Sequence, residues 1–264
     1  MILSRPDCNR KEPRMGWEIV KHSFAMLWRN LGNALRISLG PLAVAILLSV
    51  AIIGVLQVSA ARVAFEFASG TMSPNVGFAV LLLAFLYVVV SAWIAVSWHR
   101  FILLEEYPGL LPALAGRPVL PYVGKTFLLG LVMILVMIPA IIVIALLSGL
   151  FGPTSGLFSI LGVGLALYFS YMWLRLGLVL PATAVARPMG ITDSWRSTAP
   201  YANAILGTGA LLILLNTGVS LVSSILPAAL TLVLDVIVSW VTVMVGTSVL
   251  TTLYGVIVER RTLG

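Results

Sequence analysis

Charge is what this chain has least of. Only 9% of its 264 residues are charged, against about 25% in an ordinary globular domain. No charged residue occurs from Thr126 to Leu174, and from Ser197 to Val258 the single charged side chain is Asp235. A soluble fold scatters charge over its exposed faces, so such runs point to hydrocarbon as the surrounding medium. Cysteine is nearly absent too. Cys8 stands alone, which excludes an internal disulfide and any multi-cysteine metal site. Histidine is confined to His22 and His99, both placed by the pattern at solvated boundaries, whereas a metal site draws on three or four converging ligands.

Motifs of chemistry are equally missing. There is no phosphate loop with its lysine, no H-E-x-x-H pair and no G-x-S-x-G elbow. Gly162-Val163-Gly164 is at most a helix-packing feature, and Ser220 and Ser239 have no evident base nearby. The expectation is a non-enzymatic chain with no catalytic, cofactor-binding or metal-ligating residues.

What is present is apolar. Hydrophobic residues make up 60% of the chain, and the mean hydropathy is +1.10. The net charge of +7 does not indicate nucleic acid, because the basic residues flank apolar runs, as they do where a protein meets anionic lipid. Residues 1–15 read as a loose tail without a cleavable leader, so the first span is expected to stay as an anchor. Across residues 16–36, Trp17, Val20, Phe24, Leu27, Trp28, Leu31 and Leu35 recur at helical steps. Glu18, Lys21, His22, Arg29, Asn33 and Arg36 face the other way, which predicts an amphipathic helix lying in the membrane interface.

Six spans follow, at about 39–58, 77–97, 127–147, 157–179, 204–224 and 229–258. Pro41 falls in the opening turn of the first, Pro139 predicts a kink in the third, and Pro181 a bend or end to the fourth. Arg62 and Glu66 lie in the first outer loop, and Gly149, Gly152, Pro153 and Gly156 predict a tight hairpin. Thr192 or Asp193 is a candidate N-cap for a short helix through Trp195 and Arg196. The fold class expected is all-α, a single polytopic domain of six spans with interfacial helices on one side.

Charge sets the orientation. Arg5, Arg10, Lys11, Arg14, Lys21, Arg29 and Arg36 precede the first span; Arg100, Arg117, Lys125, Arg187, Arg196, Arg260 and Arg261 occupy alternate connections and the tail. The opposite side holds only Arg62. The positive-inside rule then puts both termini in the cytoplasm of a bacterial inner membrane. Residues 16–36, 98–125 and 190–203 each precede a pair of spans, and Trp28-Arg29 echoes Trp195-Arg196. Three units of interfacial helix plus hairpin are one reading, and shared boundary chemistry is the other.

Two groups of candidate residues emerge. Asn216, Ser220 and Ser223 on the fifth span, and Asp235, Ser239, Thr242 and Gly246 on the sixth, form polar stripes that serve helix packing or line a solute path. Asp235 lies 24 residues before Glu259, about 36 Å along a helix, so it reaches the far interface rather than mid-depth. Lys21, Arg29, Arg36, Arg100, Arg175, Arg187 and Arg196 are candidate headgroup contacts. Arg175, 19 residues after Gly156, is expected to snorkel to lipid phosphate, with a pairing to Asp193 as the alternative.

The segment Arg175-Leu-Gly-Leu-Val-Leu-Pro181, then Gly190-Ile-Thr-Asp-Ser194-Trp195-Arg196, resembles a family of bacterial multi-span proteins. Its members occur alone as inner-membrane proteins, or as the membrane domain fused to some glycerophosphodiester phosphodiesterases. The resemblance implies a span ending in proline, a glycine break and an amphipathic helix before two more spans. It implies no phosphodiesterase activity, because no soluble domain is present, and it transfers no catalytic residue. The functional expectation is a membrane component that organises anionic lipids, a membrane-protein partner or further copies of itself; the alternative is a permease for a neutral or lipid-like small solute.

Overall fold

The computed structural model describes residues 12–109, 111–151 and 156–263. Among these there is no strand, and six helices are long and apolar enough to cross a membrane. The order is α1 (Glu12–Arg29), α2 (Leu31–Leu56), α3 (Ala60–Ser69), α4 (Pro74–Leu104), α5 (Val119–Phe151), α6 (Gly156–Leu176), α7 (Val179–Ala184), α8 (Ile191–Thr198), α9 (Ala202–Ser224) and α10 (Ala228–Ile257). The spanning elements are α2, α4, α5, α6 with α7, α9 and α10. Most of the predicted tail, residues 1–11, and the centre of the predicted 149–156 hairpin lie outside the described residues.

The buried core sits at one end of the bundle. It is built from the second half of α4 (Val90 to Leu103), the first half of α5 (Val119 to Met133), α7, the start of α9 and the second half of α10 (Met244 to Ile257). Toward the other end the spans expose broad apolar faces, including Leu47, Val55, Leu81, Ile142 and Leu221. Hydrocarbon exerts no hydrophobic force between helices, so only one end needs dense packing. The chain's first and last helices meet at the packed end, where the Ser23 and Thr252 hydroxyls lie 3.0 Å apart.

Several boundaries differ from the sequence reading. The helix predicted over 16–36 stops at Arg29, and α2 begins at Leu31. Asn30 turns its side-chain amide onto the Met26 carbonyl at 2.8 Å, the kind of local bond that competes with helix propagation. Pro41 therefore lies inside α2 rather than in an opening turn. The face of α1 is also rotated from the one expected. Ile19, Val20, Met26 and Leu27 are buried, while Trp17 and Trp28 are 56% and 77% exposed. Small residues explain the choice: a Cβ on Gly16 would lie 2.8 Å from the Ala204 carbonyl oxygen. α1 thus packs closely across α9 and α10, with Trp17 bordering an apolar groove beside Leu214, Val222 and Leu234 of those helices and Trp28 exposed.

The fourth span breaks at Gly177, not at Pro181. Proline lacks the N–H that would bond the carbonyl four residues earlier, and its ring crowds that carbonyl; the residue four before Pro181 is Gly177. A Cβ there would lie 2.9 Å from Leu250, so the glycine also permits the close approach of α10. α5 runs unbroken through Pro139. Arg62 and Glu66, expected in a loop, belong to α3, which Ser59 caps by accepting from the Arg62 N–H at 3.1 Å. The 105–118 connection holds no helix among its described residues, so the middle unit of the proposed repetition has no counterpart of α1 or α8.

Candidate functional site: a cavity between three spans and a basic end

At the packed end, much of the basic inventory is committed internally. Arg175 is buried, 5% exposed. Its Nε donates to the Thr198 hydroxyl at 3.1 Å, one terminal nitrogen to the Tyr171 hydroxyl at 2.9 Å and the other to the Trp195 carbonyl at 2.7 Å. The guanidinium lies 3.4 Å from the centroid of the Trp195 ring, and the Ser194 hydroxyl donates back to the Arg175 carbonyl at 2.7 Å. These bonds fasten α8 to the end of α6, so Arg175 is not available to lipid phosphate. It does not pair with Asp193 either, whose carboxylate accepts from the Gly190 N–H at 3.2 Å and so caps α8. Gly190, rather than Thr192 or Asp193, is the N-cap.

Arg100 is likewise withdrawn. It donates to both oxygens of Glu106, at 3.1 and 2.5 Å, and to the Ala184 carbonyl at 2.9 Å. Arg117 completes the cluster by pairing with Glu106; burial, and secondarily the neighbouring Arg100, lowers its pKa from the ordinary value. Lys21, Arg29, Arg36, Arg187 and Arg196 stay exposed. His99, predicted to be solvated, is fully buried. Its ring nitrogens lie 2.8 Å from the Thr251 hydroxyl and 3.3 Å from the Tyr122 hydroxyl, joining α4, α10 and α5. His22 is half-buried at the same end. A polar cavity of about 620 Å³ lies among Leu103, Arg187, Asp193, Tyr254, Glu259 and Arg261. Its charges are matched: Glu259 pairs with Arg187 at 3.5 Å and with Arg261 at 2.7 Å.

One bond joins the two polar stripes, from the Ser223 hydroxyl on α9 to the Asp235 carboxylate on α10 at 3.4 Å. Asn216, Ser220, Ser239 and Thr242 are exposed, and Ser223 is half-buried. The stripes otherwise divide between two cavities. Asn216, Thr242 and Gly246 border one of about 440 Å³ between α9 and α10, closed at one side by Phe24 of α1. Ser220 only returns its hydroxyl to the Asn216 carbonyl. Asp235 and Ser239 border the other, of about 480 Å³, between α2, α4 and α10. Helix periodicity could place these residues on a face but not choose the neighbour.

The second cavity also takes in Ser38, Tyr87, Ser91 and Trp240, none of which stood out in the sequence. α10 is tied to α2 there by the Trp240 indole N–H, which donates to the Ser38 hydroxyl at 2.9 Å. Ser38 in turn donates to the Ala34 carbonyl at 2.8 Å. Its volume falls within the roughly 300–1,000 Å³ of small-molecule sites. Among the described residues no group of three or more metal-ligating side chains converges. No family model, curated protein or solved structure matches this chain.

Proposed function

We propose that the protein is a non-enzymatic component of a bacterial inner membrane, with both termini cytoplasmic, that organises anionic lipid around its basic end. The observation carrying this reading is the set of exposed cations at the packed end, with the exposed Trp28 among them. Lys21, Arg29, Arg36, Arg187 and Arg196 are exposed, as is Trp28 next to Arg29 on α1. Basic side chains there each gain about 1 kcal/mol from an anionic leaflet, and indole rings favour the headgroup level. The wide apolar flanks of the spans offer further surface to lipid, a partner or a second copy. The family resemblance belongs to the same reading.

The test is copurification from native membranes in mild detergent, with lipids measured by mass spectrometry. Combining Lys21→Gln, Arg29→Gln and Arg36→Gln is expected to lower retained anionic lipid at least about tenfold, given about 1 kcal/mol per cation. An unchanged lipid profile overturns the proposal. The second reading, a permease for a neutral or lipid-like solute, is favoured by the cavity between α2, α4 and α10. Saturable movement of a defined solute in liposomes holding the purified protein would put that reading first.

A further inference from the structure

Asp235 is the one carboxylate on α2, α4, α5, α6, α7, α9 and α10. Three carboxylates elsewhere in the bundle hold arginines: Glu66 holds Arg62, Glu106 holds Arg100 and Arg117, and Glu259 holds Arg187 and Arg261, while Asp193 caps α8. Asp235 has no such partner among the described residues. It accepts one hydrogen bond, from the Ser223 hydroxyl, at 3.4 Å, close to the limit of a hydrogen bond. Asp235 is exposed at the end of the span, where a solute can reach it, and it borders a cavity with room for a ligand.

The helix directions orient that cavity. α4 and α10 run toward the packed end and α2 runs away from it. Tyr87, Asp235 and Ala45 therefore form the rim, and Ile94, Met244 and Ser38 the floor. Ser223, which reaches Asp235, lies in the last turn of α9, so the rim is level with the end of a span. From Asp235 to Met244 is nine residues, about 14 Å along the helix. That is close to half of the roughly 30 Å hydrocarbon thickness, the depth of one leaflet. The walls are mostly aliphatic, with Leu42, Val90 and Val243 among them. Tyr87 and Trp240 add aromatic rings, whose faces attract organic cations.

From this geometry we infer that the cavity between α2, α4 and α10 binds an amphiphile with a cationic nitrogen head and an alkyl chain. The head meets Asp235 at the rim and the chain lies along Val90 and Val243 toward Met244. A positive head supplies the counter-charge that the protein itself withholds from Asp235. This site is separate from the basic end, so either proposal can fail alone.

The experiment uses the full chain in nanodiscs of phosphatidylglycerol, whose headgroup carries no nitrogen. The probe is a long-chain primary amine with a diazirine in its chain, compared with the corresponding alcohol. After irradiation, cross-linked peptides are expected from α2, α4 and α10, and excess unlabelled amine is expected to suppress them at least tenfold while unlabelled alcohol does not. Asp235→Asn is expected to reduce labelling by the amine about tenfold and to leave labelling by the alcohol unchanged. The competition needs no variant, so the inference stays testable if the substitution impairs folding. Equal competition by amine and alcohol, retained labelling in Asp235→Asn, or cross-links confined to other helices would each overturn it. Adding phosphatidylethanolamine to the discs separates two sources of the same chemistry. Suppression of labelling identifies a lipid ammonium headgroup as the occupant, and undiminished labelling identifies a free alkylamine; both outcomes support the cationic site.

Discussion

Arg175 shows how a charged residue near a span's end becomes structural. Two of its bonds reach α8, at Thr198 and the Trp195 carbonyl, and its planar group stacks on the Trp195 ring. Lysine keeps the charge but has neither the planar fork nor the stacking surface. Hydrogen bonds involving a charged group contribute about 1.5–3 kcal/mol each, and a desolvated cation–π contact about 2 kcal/mol. Arg175→Lys is therefore expected to destabilise the fold by about 2 kcal/mol or more. In a chain of this size that is a fall of roughly 4–8 °C in Tm, read by thermal unfolding in one detergent. Arg196→Lys, at an exposed position of the same short helix, is the control and is expected to stay within about 0.5 kcal/mol of the parent. Equal shifts in the two variants would remove the structural role of Arg175. The sequence shows that an arginine lies close to the end of a long apolar run. Whether it reaches lipid or a neighbouring helix depends on where the chain turns, and that turn is set by Gly177 and Pro181 together.

At the scale of elements, α3 is held by one carboxylate. Glu66 accepts from the Ser73 backbone N–H at 2.7 Å, from the Ser73 hydroxyl at 2.9 Å and from Arg62 at 2.9 Å. The Ser73 N–H foremost, then Arg62 and the Ser73 hydroxyl, hold the Glu66 carboxyl below its ordinary 4.5, against an opposing push from burial. Because the folded pKa is depressed, the clamp is fully present above the ordinary carboxylate value and is lost as pH falls through the lower folded one. Amide exchange over Ala60–Ser69 is expected to rise relative to the other helices on acidification below 4.5, after correction for intrinsic rates. Glu66→Gln should already exchange faster at neutral pH and show no further loss in acid. A pH-independent difference between α3 and its neighbours in the parent would refute the clamp. Residue patterns explain why some elements were legible and others were not. The spans are long because hydrocarbon tolerates only satisfied helical backbone and excludes charge, and that constraint is written in Thr126 to Leu174. α3 is ten residues long with Arg62 and Glu66 on it, so its charges read as loop. On α1 the tryptophans dominate the pattern by hydrophobicity, while contact is decided by Gly16 and Ser23, which are small.

For the whole molecule, the two ends of the bundle differ in charge as well as in packing. Arg100, Arg117, Arg187 and Arg261 gather with their carboxylate partners at the packed end, beside the exposed Lys21, Arg29, Arg36 and Arg196. At the other end stands Arg62, already neutralised by Glu66. Translocating the open end thus carries one matched ion pair and the carboxylate of Asp235, whereas translocating the packed end carries many cations into the less favourable compartment. Single cysteines in a Cys8→Ser background test the direction. Met72→Cys marks the open end, at a side chain 49% exposed, and Ala199→Cys marks an exposed position just after α8. A membrane-impermeant maleimide added to cells with a permeabilised outer membrane is expected to label position 72 at least tenfold faster than position 199. Lysis of the inner membrane should equalise them. The reverse order would invert the proposed orientation and place the basic, tryptophan-bearing face of α1 away from the anionic cytoplasmic leaflet. Labelling of both positions from outside would contradict the six-span arrangement, because three spans, α4, α5 and α6 with α7, separate position 72 from position 199 and an odd number puts the two markers in opposite compartments.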